Sequence, residues 1–167
     1  DSITRIGVHT PCLTRPRPEG GYELLSGHRR KTASILANKD TIPIIVRDID
    51  DDTATILVVD GNIQRETILP SEKAKAYKMK LEALKRQVGR PTINYSQVGN
   101  NYSTKTSVEE MAIKQGESKN QIYRYIRLTE LIPPLLDMVD DKKIAFNPAV
   151  ELSYLPIELQ VELFDVI

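Results

Sequence analysis

Short apolar runs alternate with helical spacing in the first third of the chain, and helical spacing dominates the last third. Tyr22, Leu24 and Leu25 read as a short strand broken by Ser26-Gly27. His28 to Asn38 then predicts a helix with Ala33, Ile35, Leu36 and Ala37 available for burial. Ile42 to Arg47 and Thr55 to Val59 are β-branched runs of strand length, separated by the acidic turn Asp48 to Asp52. After Pro70, Ser71 is the expected cap of a long helix. Its apolar positions are Tyr77, Leu81, Leu84 and Val88, and Lys73, Lys75, Lys78, Lys80, Lys85 and Arg86 cover the other faces. Residues 89–106 carry Gly, Asn, Ser and Thr without periodicity and read as a linker. From Ser107 onward the pattern is helical almost throughout.

These elements predict an α+β protein. A small α/β domain occupies 1–88, 89–106 is the linker, and an all-α domain occupies 107–167. The chain opens at Ser2-Ile3 as if in the last turn of a helix, and closes on Leu159, Leu163, Val166 and Ile167 at helical spacing without a cap. It therefore reads as a piece of something longer.

The C-terminal domain has an internal punctuation. Ser107-Val108-Glu109-Glu110 and Ser118-Lys119-Asn120-Gln121 are two capping boxes, with Gly116 between them where a tight turn needs positive φ. Ala112 is small enough for a close helix crossing, and Ile122 is placed to fill the space between the helices. This spacing predicts a helix-turn-helix. Its second helix, capped by Ser118, would present Lys119, Asn120, Gln121, Tyr123 and Arg124, types that hydrogen-bond base edges or phosphates. Pro133-Pro134 ends the unit, Leu135 to Val139 is a short helix, and Asn147-Pro148 caps the next. Leu155-Pro156 opens the final amphipathic helix.

Charge changes the picture locally, not globally. Lysine and arginine number 23 and so do aspartate and glutamate, so any nucleic-acid contact must come from a patch. One patch is the strand-to-helix junction at His28, Arg29, Arg30 and Lys31. A helix start disfavours cations but welcomes an anion, so cations there point to a negatively charged ligand. A second junction, Asp60-Gly61-Asn62-Ile63-Gln64-Arg65-Glu66, sets Asn62 and Arg65 on one side of an expected first helical turn. The four acids at 48–52 lack a calcium-loop pattern. Cys12, the one cysteine, excludes an internal disulfide and reads as a small packing residue. No stretch is long and apolar enough to span a bilayer, and a cytoplasmic protein is the default.

GYELLSGHRRKTA resembles the Gly-Glu-Arg-Arg-x-x-Ala box of ParB-type chromosome and plasmid partition proteins. DGNIQRE resembles the Glu-Asn-x-x-Arg box that follows it, and the linker, helix-turn-helix and buttressing helices come in the same order. Ser2-Ile3, Gly7 and Pro11 resemble the tail of the family's first box, whose upstream half is expected to lie outside the chain, as is the C-terminal dimerisation domain. The resemblance implies a nucleoid-associated homodimer. It reads a palindromic centromere-like DNA site, binds CTP with Mg2+ as a clamp switch, hydrolyses it slowly, and works with a Walker-type ATPase through a segment not in this chain.

Carried over, Gly27, His28, Arg29, Arg30 and Ala33 fall on the phosphate box. Gly7 and Pro11 fall near the cytosine-recognising segment, Asn62 is the metal ligand and Arg65 a phosphate contact. Two departures stand out: His28 replaces the usual Glu, and Gly61 replaces the acid of the second box. The N-terminal fold of the family is also similar to sulfiredoxin, but Gly27 occupies the position of that enzyme's catalytic cysteine. The alternative expectation is a ParB-like repressor without a working nucleotide switch.

Overall fold

Why each segment folds as it does is clearest in the first unit of the computed structural model, which describes residues 2–64, 67–89 and 107–166. A short helix, α1 (Ser2–Ile6), precedes strand β1 (Cys12–Pro16). Strand β2 (Tyr22–Ser26) returns antiparallel to it, with Arg15 opposite Glu23 and Pro16 opposite Tyr22. Helix α2 (His28–Leu36) follows, and strand β3 (Ile44–Val46) then lies parallel to β1 on its other side, giving the order β2-β1-β3. Cys12, Thr14, Leu25 and Ser34 are buried.

The helix α2 buries a different face from the expected one. Ile35 and Leu36 are 63% and 80% exposed, whereas Ser34 is buried. Ser34 tolerates this because its hydroxyl donates to the Arg30 carbonyl at 2.8 Å.

Thr55 to Val59 is not a strand. It lies within α3 (Asp51–Ile63), and the acids before it start that helix instead of forming a turn between two strands. Asp50 Oδ1 accepts from the Thr53 N–H at 2.7 Å as a cap does, and Asp51 and Asp52 lie in the first turn, where the helix dipole favours carboxylates. Thr55 Oγ donates to the Asp51 carbonyl. The modest helix penalty of a β-branched run is offset by this start. Arg15 ties the new helix to the hairpin: Nε meets Glu23 and Nη1 meets Asp51, each at 2.6 Å. Both carboxylates raise the Arg15 pKa further above its ordinary value, Glu23 the more strongly.

The chain divides into two compact units, Asp1–Gly61 and Asn62–Ile167. The second unit is helical: α4 (Pro70–Gly89), α5 (Ser107–Gln115), α6 (Lys119–Arg127), a 3-10 turn at Leu128–Glu130, α7 (Pro133–Asp140), α8 (Phe146–Leu152) and α9 (Ile157–Val166). The sequence assigns the long helix to the N-terminal domain, whereas α4 packs on α5, α6 and α7. Of the expected linker, 90–106 lies outside the described residues.

Two apolar clusters explain that packing. Tyr77 and Leu81 of α4 meet Val108, Met111, Ala112 and Ile122, while Ala74 joins Leu128, Leu131, Leu135, Leu136, Val139, Ala149 and Val150. Each fully buried leucine, such as Leu128 or Leu135, contributes about 1.5–3 kcal/mol. The cationic faces of α4 are correspondingly reduced, since Lys80 is buried and Lys73 is only 18% exposed.

Three caps differ from expectation. α4 begins at Pro70, preset for a first helical position, and Glu72 accepts from the Leu69 N–H; Ser71 instead binds Asp140 through its N–H and hydroxyl. Pro133-Pro134 starts α7, where prolines need no donor. α8 begins at Phe146 with Ala145 before it, so Asn147 lies inside its first turn. Gln160 is fully buried and satisfied: it accepts from Ile132 N–H and donates to the carbonyls of Glu130 and Leu155, fastening α9 to the start of α7.

Candidate functional site

The mouth of α2 is built around Gly27. Its φ of 107° and ψ of 18° lie in the left-handed region, and as the N-cap it has no side chain with which to cap the helix. A Cβ added there would sit 2.5 Å from Cys12 Sγ, so glycine is required for space as well as for conformation. The buried Cys12 thiol donates to the Gly27 carbonyl at 3.6 Å. The first intrahelical bond runs from Lys31 N–H to Gly27 O, and the N–H groups before it have no intrahelical acceptor. No acid lies in the first turn. The result is an exposed, electropositive helix start flanked by the exposed side chains of His28 and Arg29.

Arg30 serves this mouth differently. Its Nη1 folds back onto the carbonyls of Thr10 and Pro11, so Arg30, Pro11, Cys12 and Gly27 are brought together. Gly7 ends α1 at φ 81°, with its N–H on the Ile3 carbonyl. Ala33 is half-buried on α2.

The second junction is not a helix start. Because α3 already runs through it, Asn62 lies in the last turn of that helix, where the carbonyl end of the dipole suits a cation more than a phosphate. Arg65 lies outside the described residues. Among the described residues no group of three or more His, Cys, Asp or Glu side chains is placed to hold a metal ion.

In the second unit α5 and α6 form the expected helix-turn-helix. Gly116 has φ 66°, and the Glu117 N–H reaches the Ala112 carbonyl at 3.1 Å. Ser118 caps α6, its Oγ accepting from Gln121 N–H at 3.1 Å. Ile122 is completely buried between Val108, Met111 and Ala112. Asn120 and Tyr123 are exposed at the start of α6, and Gln121 is half-buried. Lys119 pairs with Glu109 at 3.1 Å.

Arg124 is held rather than loose. Its Nη2 donates to Asn147 Oδ1 at 2.5 Å, and its guanidinium stands 5.1 Å from the Phe146 ring centre. Arg127, one turn further, was not among the expected contacts. It binds Ser153 through Nε and Nη2 and stacks 4.3 Å from the Tyr154 ring centre. A cavity of about 360 Å³ is lined by Tyr123, Arg124, Ile126, Arg127, Glu130 and Tyr154. The i,i+3 spacing of Arg124 and Arg127 was the available signal; Asn147 and Tyr154 had none.

Together the folds and mouths define a protein that joins an N-terminal α/β unit with an electropositive helix start to a helix-turn-helix unit. Residues 1–63 match the ParB N-terminal domain. The chain is 30% identical over 155 residues to the chromosome-partitioning protein Spo0J of Thermus thermophilus, covering 93% of this chain and 49% of that protein. It is 29% identical over 163 residues to a probable chromosome-partitioning protein ParB of Neisseria meningitidis, covering 98% and 50%. It spans about half the length of these curated relatives. A C-terminally truncated ParB of Caulobacter crescentus, crystallised with its centromeric parS site, shares the fold at a TM-score of 0.58 and 22% identity, over 93% of this chain and 75% of that one. The chain is thus similar to ParB-type chromosome-partitioning proteins, and its N-terminal unit matches their N-terminal domain.

Proposed function

We propose that this chain is the DNA-reading and nucleotide-binding part of a partition protein, with α6 entering the major groove of a palindromic parS-like site. The observation that carries the reading is the Ser118-capped helix, locked by Ile122, with Asn120 and Tyr123 exposed at its N-terminal half. The Caulobacter relative crystallised on parS supports the choice of DNA. A palindrome calls for two copies related by a two-fold axis, so the working unit is a homodimer at the nucleoid. The Walker-type ATPase partner belongs to the same proposal.

The mouth of α2 fits a triphosphate. Gly27 keeps the helix start open to close approach, Arg29 supplies a bidentate donor pair, and Arg30 fixes the Thr10–Pro11 loop beside it. The family resemblance makes CTP, carried with Mg2+, the nucleotide. The triphosphate would itself carry most of the magnesium coordination. Gly61 favours a second reading, in which nucleotide is bound without turnover or the chain acts as a repressor.

The test is a competition titration of a labelled parS duplex against a scrambled duplex of equal length. Selective binding that is lost in Asn120→Ala supports the reading; equal affinity for both duplexes refutes it.

A further inference from the structure

Glu117 is the residue between the turn glycine of the helix-turn-helix and the cap of its reading helix. Its carboxylate is not left to solvent. It pairs with Lys73 of α4, and both side chains are about four-fifths buried, at 20% and 18% exposure. The Lys73 ammonium is seated on aromatic faces, 4.5 Å from the ring centre of Tyr125 and 5.7 Å from that of Tyr77. Tyr125 lies on α6, and its ring meets Tyr77 edge-on at 5.8 Å and Phe146 at 4.7 Å. One cation therefore touches both the turn before α6 and the inner face of α6.

A surface ion pair would contribute little, but a pair this enclosed loses heavily when one partner is removed. Among the described residues Glu117 Oε2 and Tyr77 Oη are both buried, and the Glu117 carboxylate acts on the Tyr77 hydroxyl. What the cluster does supply is geometry, because Lys73 can satisfy the ion pair and both rings in one disposition of α4, turn and α6.

We propose that the Lys73–Glu117 pair, seated on Tyr77 and Tyr125, is a positioning device that sets the reading helix and so governs DNA selectivity without touching DNA. This rests on the DNA-reading function proposed above. Lys73, Tyr77 and Glu117 are positioning residues, and base-edge contact stays with the exposed start of α6.

The test compares wild type, Lys73→Met, Glu117→Gln and Lys73→Arg, the last restoring charge if the neutral variant folds poorly. Amide hydrogen exchange is read first, in the full chain without DNA. Faster exchange is expected at Glu117, Gln121 and Ile122, whose N–H bonds form the turn and cap, and not at Leu136 and Ser153. Titration with the parS and scrambled duplexes is read second. Selectivity is expected to fall by about tenfold or more in the neutral variants, with scrambled-duplex affinity unchanged and partial recovery in Lys73→Arg. Unchanged exchange at the turn, or an equal rise at all five amides, overturns the device. So does intact selectivity in variants whose turn has loosened. A wild type that ignores parS overturns the DNA reading instead, and the exchange pattern still decides whether the pair holds the turn.

Discussion

Arg30 donates from one nitrogen, Nη1, to the carbonyls of both Thr10 and Pro11, at 2.5 and 2.7 Å. A residue 19 positions downstream of Pro11 thereby holds the loop that enters β1, beside the open start of α2. The two neighbouring arginines consequently have different jobs. Arg29 is free to meet a ligand through an exposed side chain, and Arg30 shapes the rim.

Arg30→Ala is expected to lower the thermal stability of the N-terminal unit and to weaken nucleotide binding together. Charge-assisted hydrogen bonds of this kind contribute roughly 1.5–3 kcal/mol. Arg29→Ala is expected to weaken binding without moving the melting curve. Melting and calorimetric titration of the two variants separate the roles.

Gly27→Ala places a methyl group against Cys12 Sγ at a positive φ. Strain and overpacking together are expected to cost about 2–4 kcal/mol. Adding Cys12→Ala removes the sulfur and is expected to recover part of the loss, leaving the backbone strain. Denaturant unfolding of the single and double variants measures both parts.

Ser118→Ala removes the acceptor for the Gln121 N–H and is expected to cost about 1 kcal/mol of stability in the helical unit. Because the cap sits at the start of the reading helix, parS affinity is expected to fall as well. Urea unfolding and duplex titration report the two effects.

Burial raises the Tyr77 phenol above its ordinary value of 10.0, and the neighbouring Glu117 carboxylate pushes the same way. The folded state therefore holds its proton more tightly than the unfolded state. Stability from this group is full below the unfolded pKa near 10.0 and is lost as pH rises beyond it. Urea midpoints from pH 8 to 11 are expected to fall at the alkaline end, with a smaller fall in Tyr77→Phe (about pH 10 being the break).

Much of this was legible in sequence because local signals agreed. Ser118, Gly116 and Ile122 each demanded the same turn, and Ser26-Gly27 marked the strand-to-helix break unaided. The Thr55–Val59 run misled because a short apolar, β-branched segment has no periodicity of its own; Asp50 as a cap was the better guide. Burial of Lys73 and Lys80 was hidden for another reason. A lysine at a polar position of a helix looks solvated until the surface that covers it is known. Nor could spacing say which arginine of the pair at 29 and 30 would fold back on Thr10 and Pro11, since that depends on the path of a distant loop. The contact of α4 with the helix-turn-helix was likewise invisible, because it joins segments separated by residues 90–106.

The claim that joins the two units is that the start of α2 holds a nucleotide which serves a DNA reader. Calorimetric titration with CTP, ATP, GTP and UTP in the presence of magnesium, on wild type and Arg29→Ala, tests it most directly. CTP is expected to bind in preference to the other three, and more weakly in the variant. Binding of no nucleotide at millimolar concentration, or equal binding of all four that Arg29→Ala leaves intact, would contradict it and leave a repressor built on the same fold.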